Sequence, residues 1–183
     1  MKNKAKDPAK ELLSIGTGGS SKRFDDSGTW RAWVNNAEKH HRASQILFST
    51  LISDMREHFS QGNKERNQDQ KPFLLEVYFL LCYLAIENLL KALSVKKDPL
   101  LVSKGKLRGP LMNSHDIAGL ISNLVIPLSE DEVTFTSHGQ SCIEYWGRYP
   151  IPKNPSDLIN GYAFNTRVNE VFIKLYTRLK QNL

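Results

Sequence analysis

Residues 72–95, PFLLEVYFLLCYLAIENLLKALSV, decide the fold of this chain. Pro72 suits the first position of a helix, where its missing N–H would have no intrahelical partner. Apolar residues between positions 74 and 86 cover nearly every face of this predicted helix, and its second half becomes amphipathic. A helix that is apolar all round must lie at the centre of a bundle or be buried at an interface. The chain is therefore expected to build its core around this helix.

Four further helices are predicted from apolar residues at helical spacing and from capping signals. Their bounds are about 30–60, 113–124, 129–146 and 163–181. Ser129, followed three residues later by Glu132, forms a capping box at the start of the fourth helix in the chain. No segment predicts a convincing strand. The sequence thus predicts an all-α protein, a five-helix bundle with two long antiparallel helices and shorter ones packed on them.

Composition and charge fit one globular domain. The chain has 183 residues, of which 40% are apolar and 24% charged, and this balance excludes wholesale disorder. Residues 1–29 are predicted to be a flexible N-terminal tail, and residues 30–183 a single helical domain. The net charge of +6 is compatible with a polyanionic partner.

The cysteines and the N-terminus bear on location and cofactors. Cys82 and Cys142 form neither a disulfide framework nor a cluster with histidine at metal-ligand spacing. We therefore expect reduced thiols, no metal and no cofactor. Because the N-terminus lacks an apolar signal region and the apolar run is interrupted by Glu76, we expect a cytoplasmic location and no membrane contact.

A basic loop is predicted after the central helix. Residues 96–113 contain five basic side chains and one acidic side chain, and glycines and prolines punctuate the segment. Lys104, Lys106 and Arg108 are the candidates for contact with phosphates, on a loop expected to be mobile. The alternative is a solvated loop without a ligand.

Three short motifs, in this order, resemble the HEPN superfamily. They are YLAIENLLKAL at 83–93, SHDIAGL at 114–120 and YWGRYP at 145–150, and the resemblance extends over roughly residues 30–181. HEPN proteins are all-α bundles that commonly dimerise, and many are RNases of toxin–antitoxin, phage-defence and CRISPR systems. Others bind nucleotides or are not catalytic. The resemblance implies a homodimer with RNA, a nucleotide or a cognate protein as its partner.

The RNase members of the superfamily carry an arginine, four to six further residues, and then a histidine. Arg148 matches the arginine by position, but the last histidine of this chain is His138. If the chain is a metal-independent endoribonuclease, Arg148 would hold the scissile phosphate. His115 would then replace the missing acid or base, because imidazole titrates near neutrality.

The remaining candidates surround these two residues in the sequence. Those for base stacking or nucleotide binding are Tyr145, Trp146 and Tyr149, although such aromatic clusters also occur in cores and interfaces. Those in supporting roles are Glu87, Asn88, Lys91 and Asp116. Glu87 and Lys91 have the spacing of a helix ion pair, and contact between Glu87 and Arg148 is the alternative.

Two functions remain open from the sequence. One is a HEPN-like protein of a defence or toxin–antitoxin type system that binds RNA or nucleotide, with or without RNase activity. The other is a non-catalytic dimeric protein-interaction module, which the missing histidine favours.

Overall fold

A computed structural model describes residues 24–25, 28–60, 74–112, 115–143 and 166–183, and the statements below concern these residues. They contain α1 (Trp30–Ser60), α2 (Leu75–Lys97), α3 (Ile117–Leu124), α4 (Glu130–Ser141) and α5 (Thr166–Gln181). The prediction of an all-α helical bundle is confirmed.

Helix α2 forms the centre of the bundle, and the other four helices pack against it. Its fully buried side chains include Tyr78, Cys82, Tyr83, Ile86, Leu89 and Leu90. By length and composition α2 could span a membrane, but 72% of its most apolar window is buried within the protein. This burial is what a continuous apolar surface requires of the core helix of a bundle.

Helices α1 and α2 are long and antiparallel. Trp33 near the start of α1 lies beside Lys91 near the end of α2, and Phe48 further along α1 contacts Tyr78 near the start of α2. Helix α5 is also antiparallel to α1, because Lys180 pairs with Glu38 at 2.8 Å whereas Asn169 accepts a hydrogen bond from Gln45 at 3.2 Å.

The segment between α2 and α3 differs from the mobile loop predicted from the sequence. Two short strands, β1 (Val102–Ser103) and β2 (Lys106–Leu107), pair antiparallel. The turn residues Lys104 and Gly105 have φ values of 54° and 70°, as in the type I′ turns that suit the twist of a hairpin. The carboxylate of Asp25 accepts hydrogen bonds from the N–H groups of both turn residues, at 3.0 and 2.9 Å. The pairing of the two strands and the hydrogen bonds to Asp25 therefore hold the hairpin in place.

The N-terminal residues of the predicted tail take part in this contact. Gly28 lies so close to Val102 that a Cβ at position 28 would come within 2.2 Å of the valine side chain. The described residues of the segment 1–29 therefore pack on the hairpin. The flexibility of the segment as a whole stays a prediction.

The starts of α3 and α4 follow from their caps. The capping box of α4 is confirmed, since the Glu132 N–H donates to Ser129 Oγ at 3.4 Å and the Ser129 N–H donates to Glu132 Oε2 at 2.9 Å. Helix α3 was predicted to begin at residue 113 or 114, and this is wrong. It begins at Ile117, because Asp116 is its N-cap and His115 has a φ of 78° that no helical residue adopts.

Candidate functional site

A buried group of charged side chains lies where α2 meets the segment that precedes α3. Glu87 is 2% exposed, yet its Oε1 atom is 2.5 Å from Lys91 Nζ and its Oε2 atom is 3.1 Å from His115 Nδ1. The i and i+4 spacing of Glu87 and Lys91 places both on one face of α2, as the sequence predicted. We call these three residues the Glu87 cluster.

Burial explains why the Glu87 cluster holds together. A carboxylate removed from water loses its hydration, and only close partners offset that loss. Lys91 supplies a cation that is itself 7% exposed and lies 5.2 Å from the centre of the Trp33 ring. Each charge in the cluster thus has a partner on a neighbouring atom, which is the condition for a buried ion pair to persist.

His40 of α1 is within electrostatic reach of the same carboxylate. Burial lowers the pKa of His40 from its ordinary value, and the negative charge of Glu87 partly opposes that shift. A second imidazole therefore responds to the charge of the Glu87 cluster. No local pattern in the sequence connects His40 with Glu87, because only the packing of α1 against α2 brings them near each other.

The structure corrects the placement of His115 and Asp116 in a helical turn. His115 precedes α3 in the left-handed region, a strained conformation for a residue with a Cβ. The Asp116 side chain accepts a hydrogen bond from the Gly119 N–H at 2.8 Å and so caps α3. Asp116 therefore has a structural role in this geometry, and the site residue next to it is His115.

The contact with Glu87 orients the His115 imidazole. With a proton on Nδ1, the ring donates to Glu87 Oε2, and this donation selects one tautomer and one ring orientation. A carboxylate that fixes an imidazole in this way is a common arrangement in acid–base sites. The geometry makes His115 a candidate acid or base and Glu87 the residue that positions it.

Asn88 is not part of the Glu87 cluster. Its Nδ2 atom donates to the Leu84 carbonyl one turn earlier in α2, at 2.6 Å. The Asn88 amide thus forms its hydrogen bond within its own helix. Among the described residues it has no contact with the Glu87 cluster that would support its predicted role at the site.

The hairpin carries the predicted phosphate ligands. Lys104, Lys106 and Arg108 are exposed, and none of them takes part in an ion pair within the described part of the chain. The backbone of Arg108 is tied to the end of the preceding turn, because its N–H donates to the Leu101 carbonyl at 2.9 Å. The three cations project from a braced element.

Tyr83 and His138 form a polar contact that sequence reasoning missed. The Tyr83 hydroxyl lies 2.6 Å from His138 Nδ1, between α2 and α4, and burial lowers the pKa of His138. The two residues are 55 positions apart, so no spacing rule connects them. The only signal was the presence of Gly139, whose missing Cβ allows α4 to approach the Tyr83 ring.

Arg148 and the aromatic residues Tyr145, Trp146 and Tyr149 lie outside the described residues. Their predicted roles stay predictions. Among the residues that the structure describes, no group of three or more His, Cys, Asp or Glu side chains is arranged to hold a metal ion.

Comparison of the chain with protein-family models, with curated proteins and with solved structures finds no match. The functional argument therefore depends on the geometry of the described residues.

Proposed function

We propose that this chain is a HEPN-like protein of a defence or toxin–antitoxin type system and binds RNA through the hairpin Val102–Leu107 and the adjoining Arg108. The observation that supports it is the set of three exposed cations, two on the braced hairpin and one directly after it. Cations that already have acidic neighbours would lose those contacts on binding a phosphate. Lys104, Lys106 and Arg108 have no such ion pair among the described residues.

Bracing the hairpin favours binding for an entropic reason. Ordering a mobile loop on binding costs free energy, and a loop that is already ordered avoids this cost. Asp25 accepts hydrogen bonds from the two turn N–H groups, so the backbone that carries Lys104 and Lys106 is ordered before a ligand arrives. Cations carried on an ordered backbone suit contact with a phosphate backbone.

The Glu87 cluster would be the place of RNA cleavage if the chain is an RNase. Lys97, the last residue of α2, lies ten positions after Glu87, which corresponds to a rise of about 15 Å along the helix. An RNA strand bound to the hairpin can extend over that distance. In this proposal His115 acts as acid or base and Arg148 holds the phosphate.

Salt-dependent RNA binding tests the proposal. Fluorescence anisotropy of a labelled single-stranded RNA is measured from 50 to 200 mM salt for the wild type and for Lys104→Gln/Lys106→Gln/Arg108→Gln. Each phosphate contact contributes about 0.7 to the slope of log K against log salt, so loss of three contacts should lower the slope by about 2.

A control variant separates the hairpin from general charge. The variant Lys39→Gln/Arg42→Gln/Lys174→Gln removes three exposed cations of α1 and α5, and both triple variants change the net charge from +6 to +3. We expect the control to keep the wild-type slope. Equal slopes for the two variants, or no RNA binding by the wild type, would refute the proposal.

Cleavage is tested separately with purified protein, EDTA and a labelled structured RNA. Metal-independent cleavage that is lost in Arg148→Ala and His115→Ala would support an RNase. Binding without cleavage would support a non-catalytic RNA-binding protein. If the protein is a dimer that binds no RNA, and a pull-down without nucleic acid recovers a protein partner, the result would support the interaction module instead.

A further inference from the structure

A groove of about 730 Å³ lies at the end of the bundle away from the start of α2. It is formed by the last turns of α2 and α5 and by the segment that follows α3. Its lining residues are Leu93, Lys96, Lys97, Leu124, Val125, Ile126, Pro127, Arg178 and Asn182. The volume is within the range of sites for small molecules, and apolar side chains and cations share the lining.

Val125 has an unusual conformation at the edge of this groove. It follows the last residue of α3 with φ 55° and ψ 46°, in the left-handed region. The Val125 N–H donates to the Ser122 carbonyl at 3.1 Å and the Ile126 N–H to the Ile121 carbonyl at 3.2 Å. These two bonds define the helix-ending motif whose left-handed position is normally occupied by glycine or asparagine.

Burial of the Val125 side chain does little to offset the cost of this backbone conformation. A β-branched residue in the left-handed region is strained, because its Cβ lies too close to the backbone. Val125 is also 82% exposed, so burial of its methyl groups does not offset the strain. Asparagine at this position would avoid both the strain and the exposed apolar surface. The free energy of folding therefore does not account for valine, whereas an apolar ligand in the groove would.

The charged side chains that line the groove, within the described residues, are the cations Lys96, Lys97 and Arg178. The Arg178 guanidinium is already engaged, since it donates to Glu132 Oε2 at 2.8 Å and to the Pro127 carbonyl at 3.0 Å. Lys96 Nζ donates to the carbonyl oxygens of Asn182 and Leu183.

Lys97 is different from these two cations. It is exposed and forms no ion pair within the part of the chain that the structure describes. Among the residues that the structure describes, no acidic side chain lines the groove. A cation in the last turn of α2 also interacts favourably with the helix dipole, which is a folding role. Ligand binding and stability therefore need separate measurements.

We propose that this groove binds a soluble amphiphilic carboxylate, with the apolar chain against Val125 and Leu124 and the carboxylate at Lys97. The exposed cation Lys97 accounts for the anionic group of the ligand, by charge complementarity. The strained and exposed Val125 accounts for its apolar chain. The site is separate from the hairpin Val102–Leu107, and the proposal does not depend on RNA binding.

Titration calorimetry with decanoate, below its micelle concentration, tests the proposal on the full chain. We expect saturation at one decanoate per chain. Val125→Asn should weaken binding about tenfold, because it removes the burial of one valine side chain. Lys97→Gln should weaken it by about tenfold or more, because it removes a charge-assisted contact.

Matched controls lie outside the groove. Met112→Asn removes a side chain that is 68% exposed, and Lys174→Gln removes an exposed cation of α5. Both should bind decanoate as the wild type does. Decanol has the apolar chain without the carboxylate, and acetate has the carboxylate without the chain. Both should bind much more weakly than decanoate.

Thermal melting completes the test, because Val125→Asn should fold better while it binds worse. Relief of the left-handed strain should raise the melting temperature by about 2–8 °C. Absence of saturable decanoate binding would overturn the proposal. So would equal affinity in the wild type, Val125→Asn and Lys97→Gln, or decanol binding as tight as that of decanoate.

Discussion

Replacing Lys91 with methionine tests the electrostatics of the Glu87 cluster. In the wild type the Glu87 carboxylate is 2% exposed and its Oε1 atom is 2.5 Å from Lys91 Nζ. Methionine keeps the length and apolar character of the lysine stem but removes the cation. The carboxylate then stays buried with His115 as its remaining partner in the cluster. Loss of one partner of a buried ion pair costs about 3–5 kcal/mol.

That free energy corresponds to a clear thermal shift. For a chain of this length each kcal/mol lowers the melting temperature by about 2–4 °C, so Lys91→Met should melt about 6–20 °C below the wild type. The double variant Glu87→Met/Lys91→Met should recover most of this loss, because it buries no unpaired charge. The remaining deficit should be about 1 kcal/mol, from the contact that His115 loses.

Urea denaturation followed by circular dichroism at 222 nm measures these free energies. The wild type, Glu87→Met, Lys91→Met and the double variant form a double-mutant cycle. Lys180→Met is the matched control. It breaks the ion pair between Lys180 and Glu38, whose N–O distance is 2.8 Å but whose side chains are each 48% exposed. An exposed pair contributes about 0–1 kcal/mol. A cost below 1 kcal/mol for Lys91→Met, or a double variant less stable than both single variants, would refute the reasoning.

Three further predictions concern α4. Burial lowers the pKa of His138, so the folded protein favours the neutral imidazole. The stability that this preference contributes should be fully present above about pH 6.5, the ordinary pKa of histidine in the unfolded chain. It should be lost as the pH falls through the lower pKa of the folded protein. Melting temperatures from pH 7.5 to 5 should therefore decline less in His138→Gln, and equal slopes would contradict this. Gly139→Ala should destabilise the fold by about 1–3 kcal/mol, because the new Cβ would lie 2.4 Å from the Tyr83 ring, and a more stable variant in urea would exclude that close packing. Ser129→Ala should cost about 1 kcal/mol through loss of the capping box, whereas Ser49→Ala on the exposed face of α1 should be nearly neutral, so equal midpoints for the two variants would argue against the cap.

The helices could be predicted because their signals are local. The apolar run of residues 74–86 marks α2 as the core helix, and the pair Ser129 and Glu132 marks the start of α4. In both cases the interacting groups are a few residues apart, so secondary structure alone brings them together. The ion pair of Glu87 and Lys91 was predictable for the same reason.

The start of α3 could not be predicted in the same way. Asn113, Ser114 and Asp116 are all suitable N-caps by residue type. The choice of Asp116 depends on the left-handed turn at His115, which the contact with Glu87 stabilises. That contact joins residues 28 positions apart, so local preferences did not contain it. A distant electrostatic partner thus selected one cap among several.

By itself, the sequence determined the all-helical class, the central position of α2 and the basic character of residues 96–108, because periodicity and charge are properties of neighbouring residues. Tertiary structure alone decided which charges are buried together and which cations form no ion pair among the described residues. Asp25 reaches the hairpin turn from 80 residues away, and Val125 borders a groove built by three separate segments. Such contacts depend on how the chain packs in space, because the partners are too far apart in the sequence for any local pattern to connect them.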